Sequence, residues 1–277
     1  KIDFAGPSLP KSGTLVVLLA EGKPLSGAGA RADARCKRHL ARAIAASGFS
    51  GKRDSQLDVV APGGGLARVL IFGAGNPDSL GGLEAEMLGG AMTGILQGLK
   101  VKEAAIAADL PCKQLAEAEL AARLASGARL RSYSFTRYKS KKPEGVSLAR
   151  LTLMSASAAA ARRHFRPLDA VAGGVHLARD LVNEPPNILF PVDFAGRARA
   201  LAQHGVKIEI LTPVQMKRLG MGALLGVAQG SGHDARIVIM RWEGGRRGDR
   251  PVAFIGKGVT FDTGGISIKP AAGMEDM

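Results

Sequence analysis

Cysteine is nearly missing from this chain: 2 of 277 residues, Cys36 and Cys112, each alone in its neighbourhood. That excludes a disulfide framework, a CxxC redox pair and a thiolate zinc site, and it reads as reduced thiols of a cytosolic protein. Long hydrophobic runs are missing too. The apolar stretch near the start, Leu15 to Ala20, is far too short to cross a bilayer and lacks a secretory cleavage pattern. No HExxH and no Gly-x-Ser-x-Gly occurs, which removes the usual zinc-protease helix and the serine-hydrolase elbow. Phosphate loops fail as well. Gly73-Ala74-Gly75 has Asp78 where a dinucleotide loop needs its third glycine, and Gly256-Lys257 is followed by Gly258 where a P-loop needs Ser or Thr. The five histidines are scattered, so none is paired with another by spacing.

Acidic residues are few against basic ones, 24 to 38, giving a net charge of +14. Clustered cations release counterions from phosphate, so a nucleic-acid partner is one reading. A solvated basic surface is the other. Two clusters stand out: Arg35, Lys37, Arg38 and Arg42, then Arg137, Lys139, Lys141 and Lys142. Tyr133, Phe135 and Tyr138 interleave with the second, but aromatics make up only 4% of the chain. Charge describes the electrostatics and does not define a site.

What is present is the composition of a globular protein, 46% hydrophobic and 22% charged. Short β-rich runs alternate with helical stretches, the pattern of an α/β fold. Strands are expected at residues 14–20, 67–73, 104–108, 147–154, 206–211, 236–242 and 252–255. Helices are expected at 31–47, ended by Gly48, then up to about 99, at 113–124, and at 191–204, closed by Gly205. Pro167 suits the first turn of a helix running to Val182, which Asn183-Glu184-Pro185-Pro186 must stop. The polar stretch around 140–145 reads as a linker or long loop. Two domains follow, 1–150 and 151–277, with a connecting helix near 167–182.

One segment carries chemistry. Gly256-Lys257-Gly258-Val259-Thr260-Phe261-Asp262-Thr263-Gly264-Gly265-Ile266-Ser267-Ile268-Lys269-Pro270 follows the apolar run 252–255, which would place Lys257 and Asp262 past a strand's carboxyl end. Two lysines bracket one aspartate, with glycines that let backbone approach a ligand. The same residue types would also suit an exposed lysine and a turn in which Asp262 caps its own backbone.

Three blocks together resemble the leucyl aminopeptidase family of two-metal exopeptidases: Arg179-Asp180-Leu181-Val182-Asn183-Glu184-Pro185-Pro186-Asn187, then Met221-Gly222-Ala223-Leu224-Leu225-Gly226-Val227 through Gln229-Gly230-Ser231, then 257–269. Tyr133-Ser134-Phe135 to Tyr138-Lys139 fits the end of that family's N-terminal domain. The resemblance implies a macro-like α/β domain followed by an α/β metallo-exopeptidase domain that is incomplete here. It implies an enzyme, a hydrolase of peptides, with two divalent ions per subunit, Mn²⁺ or Zn²⁺, and bicarbonate in the complete site. Lys257 would ligate one metal, Asp262 would bridge both, and Lys269 would be catalytic, facing the substrate carbonyl. Met277 falls where the family places a substrate-pocket residue. The other ligands and an arginine would lie beyond Met277, so this chain alone is expected to be inactive. A homohexamer in the cytoplasm is also implied, and a DNA-binding regulator on the same fold is the alternative.

Overall fold

The computed structural model describes residues 1–141, 148–246 and 248–260. The chain divides into two compact units, Lys1–Ala178 and Arg179–Met277.

The first unit is built on a six-stranded sheet. Its strands are β1 (Ile2–Ala5), β2 (Gly13–Ala20), β3 (Gln56–Gly63), β4 (Leu66–Gly75), β5 (Glu103–Ala107) and β6 (Arg150–Met154), in the order β1-β6-β5-β2-β4-β3. All pairings are parallel except β3 with β4. Parallel strands are buried on both faces and read as continuous apolar runs. β2 does so: Val16, Leu18 and Ala20 enter one core cluster while Leu15, Val17 and Leu19 enter the other. β4 repeats the alternation with Leu70, Phe72 and Ala74 against Val69 and Ile71.

Helices cover both faces. α1 (Gly27–Arg35) and α2 (His39–Ser47) supply Ala28, Ala32 and Leu40 to one cluster. α3 (Gly82–Gly98), α4 (Glu117–Arg131) and the start of α5 (Ala158–Asn183) supply the other. The single helix expected over 31–47 is in fact two. Lys37 and Arg38 both take positive φ, 52° and 58°, and break it at Cys36. The buried Asp33 holds the break, its carboxylate accepting from Ala41 N at 2.9 Å and its carbonyl from Arg38 N at 2.8 Å. Gly48 ends α2 in the left-handed region, as its sequence position requires. α5 departs further from expectation, since Pro167 lies inside the helix and not in its first turn. Proline can occupy a helix interior at the cost of one hydrogen bond. Here the helix is held by burial of Ala161, Phe165 and Ala172.

In the second unit, α6 (Pro191–Arg199) continues as a 3₁₀ turn, Ala200–His204, closed by Gly205 at φ 82°. β7 (Lys207–Leu211) pairs antiparallel with β8 (Ile237–Arg241), with α7 (Pro213–Arg218) and α8 (Gly222–Ala228) between them. Thr212 caps α7, its N–H donating to Gln215 Oε1 at 2.8 Å. The strand expected at 252–255 does not form: those residues are irregular and exposed.

Candidate active site

The first motif block spans the end of α5 and the turn after it. Asn183, the last helical residue, donates from Nδ2 to the Arg179 carbonyl at 2.9 Å. Pro185 and Pro186 then prevent another helical turn. Between them and Asn183, Glu184 is fully buried at its carboxylate and ion-paired to Arg197 Nη2 on α6 at 2.9 Å. That pair closes the 183–191 turn, so the Asn-Glu-Pro-Pro element is at least in part a structural joint. Phe190 N donates to Asp193 in the first turn of α6 at 3.2 Å, and the Phe190 ring stacks on His233 at 3.6 Å. The second motif block forms α8 and its flanks.

Lys257 sits on the irregular stretch 251–260, exposed to solvent. Its neighbour Gly258 has its backbone against α6: a Cβ there would lie 2.9 Å from Phe194 Cε1. The absence of a side chain therefore lets the Phe194 ring rest on the loop that carries Lys257. Asp262, Lys269 and Met277 lie outside the described residues. Among the described residues no three His, Cys, Asp or Glu side chains converge as a metal site. A lone amine does not hold a divalent ion, which needs several ligands. The described side chains thus present one candidate donor and do not by themselves form a metal shell.

The basic clusters are partly spent on structure. Arg35, in the first cluster, donates to the carbonyls of Pro10 at 2.7 Å and Lys11 at 2.5 Å. In the second cluster Arg137 lies over the Phe135 ring at 6.0 Å, and Phe135 packs against Tyr138 with centroids 5.8 Å apart. Tyr133 meets His176 at 5.2 Å. In the first unit, the amide end of α1 near the carboxyl ends of the strands is already filled. Asp109, just past β5, accepts from Ala28 N at 2.6 Å. Burial pushes both thiols up, that of Cys112 further raised by Asp78, so neither is poised as a nucleophile.

Comparison with known proteins defines the class. The N-terminal domain model of the cytosol aminopeptidase family matches residues 16–142, and its catalytic domain model matches residues 176–277. The chain belongs to the cytosol aminopeptidase family. A probable cytosol aminopeptidase of Rhodopseudomonas palustris is 46% identical over 281 residues, and one of Rhizobium rhizogenes 49% over 284. Both alignments take in 100% of this chain and 56% of the relative, so the chain spans about half the length of these relatives. Among solved structures, a mutant tomato leucine aminopeptidase aligns with TM-score 0.74 over 86% of this chain and 50% of its own, at 23% identity. The bottromycin maturation enzyme BotP in complex with Mn aligns with TM-score 0.66 over 83% of this chain and 45% of its own, also at 23% identity. These two carry the likeness in fold.

Proposed function

We propose that this chain supplies the N-terminal domain and the first part of the catalytic domain of a metal-dependent aminopeptidase, which releases leucine and other N-terminal residues from peptides. What supports the reading most is the ordered pair of family matches, with the 257–269 segment inside the catalytic one. In this reading Lys257 and Asp262 are metal ligands, for Mn²⁺ or Zn²⁺, and Asp262 is shared by two ions. Such ions, when bound, supply Lewis acidity and lower the pKa of water. Lys257 has to give up its proton to act as a ligand, which nearby divalent charge favours. Lys269 keeps its proton and offsets negative charge developing on the substrate carbonyl oxygen. Met277 lines the pocket for the first side chain. A cytoplasmic homohexamer and a bicarbonate beside an arginine outside this chain complete the reading.

The test uses this chain joined to the remaining catalytic-domain sequence of its Rhodopseudomonas relative. Hydrolysis of leucine p-nitroanilide should require added Mn²⁺ or Zn²⁺. Lys269→Ala should lower kcat about 10²–10³-fold, the range for losing one oxyanion-stabilising group. Lys257→Ala and Asp262→Ala should weaken Mn²⁺ binding measured by calorimetry. Undiminished binding and turnover in all three variants would refute the assignment.

A further inference from the structure

The first unit contains a cavity of about 230 Å³, bounded by residues of α3, α4, α5, β1 and β6. Its depth is apolar. Ala128, Leu151 and Phe165 line it at 2%, 3% and 8% exposure, and all three belong to one core cluster. Its mouth is charged. Arg129 on α4 and Asp169 on α5 line it as an ion pair, Nε to Oδ1 at 3.1 Å, with 38% and 49% of their side chains exposed. A pair this open to water contributes little to stability. The contact engages one donor of a guanidinium that carries five, and one oxygen of the carboxylate, so both groups keep hydrogen-bonding capacity. Gln97 of α3 adds a carboxamide to the same lining.

The order of these groups defines the occupant. An arginine by itself would select an anion, and a bare apolar recess a hydrocarbon. An apolar recess with a cation and an anion side by side at its mouth suits a molecule with both charges at one end and hydrocarbon at the other. We propose that this cavity is a binding site for a free α-amino acid with a branched aliphatic side chain. Arg129 binds the carboxylate through charge-assisted hydrogen bonds, Asp169 binds the ammonium, and the side chain packs on Leu151 and Phe165. Size agrees, since the cavity falls below the roughly 300–1,000 Å³ of sites for drug-sized ligands. The site lies wholly within the first unit and uses none of the residues given metal or catalytic roles above. Amino acids of this class are what the proposed activity releases, so occupancy would register product. That consequence rests on the proposed function, whereas the binding does not.

The test is therefore binding and not hydrolysis. Calorimetry of the chain with L-leucine in EDTA should give one site with a Kd of about 1 mM or tighter. Glycine, which has the same charges and no side chain, should bind at least about tenfold more weakly. In methyl NMR, leucine should shift the signals of Ile2 and Leu151 and leave those of Leu211 and Ile239 in the second unit unchanged. Arg129→Gln and Asp169→Asn each remove one charge from an exposed pair, and each should weaken leucine binding at least about tenfold without changing the melting temperature. Absence of heat and of methyl shifts at about 10 mM leucine overturns the proposal. So do methyl shifts confined to the second unit, or an affinity that both variants retain in full.

Discussion

Glu184 and Arg197 show how one pair of residues can hold a turn that motif comparison alone would assign to chemistry. The carboxylate is fully buried, while the guanidinium remains about one-third exposed. Removing the cation takes one charged partner from the buried carboxylate, and breaking a buried ion pair costs about 3–5 kcal/mol. Arg197→Ala should therefore speed exchange of the α6 amides by roughly 10²-fold, the equivalent of about 3 kcal/mol. An unchanged rate would show the pair to be unimportant for stability. Cys36 gives a prediction in pH. Its folded thiol titrates above its unfolded value because burial disfavours the thiolate. That contribution to stability is complete below the unfolded pKa, about 8.5, and is lost as pH rises through the folded one. Urea unfolding should thus show stability falling above pH ~8.5, and Cys36→Ala should flatten that slope. Very little of this was readable from the residues in order. A lone cysteine or a Glu-Pro-Pro turn carries no mark of its burial until the neighbours are placed.

The elements themselves were largely legible. β2 and β4 announce themselves as apolar runs because a parallel strand covered on both faces needs no polar alternation. β1 and β3 escaped the reading. β1 has four residues, and β3 is an antiparallel edge strand with mostly exposed side chains, so neither bears a run long enough to notice. The packing of α3 on α4 could not be read either, although its determinants are two glycines. A Cβ on Gly89 would run into the Leu124 carbonyl oxygen, and one on Gly127 into that of Glu86. Gly127→Ala must force the helices apart and should cost at least about 2 kcal/mol, the scale of an overpacked core. At 2–4 °C per kcal/mol for a unit of this size, the melting temperature should fall by roughly 4–8 °C. Gly98→Ala, at the open end of α3 where nothing lies within 4 Å, should be neutral or raise it slightly. Equal effects of the two substitutions would disprove the close-packing argument.

The whole molecule is uneven in its interior. The first unit carries two apolar clusters on opposite faces of one sheet, and the second buries few apolar side chains among its described residues. Global opening is needed to expose amides at the centre of a core, whereas a poorly covered sheet exchanges by local opening. Amides of β2, β4 and β5 should accordingly exchange at least about 10³-fold more slowly than those of β7 and β8 in the chain by itself. Comparable rates would mean that the second unit is stabilised by something other than its apolar burial. Family membership and the alternation of strands and helices were determined by the sequence alone, because motif spacing and hydrophobic period are properties of residue order. The kink at Lys37 and Arg38, the proline inside α5 and the unformed strand at 252–255 were decided only in three dimensions. Each depends on whether a particular backbone segment finds a buried partner, and only the assembled neighbours can provide one.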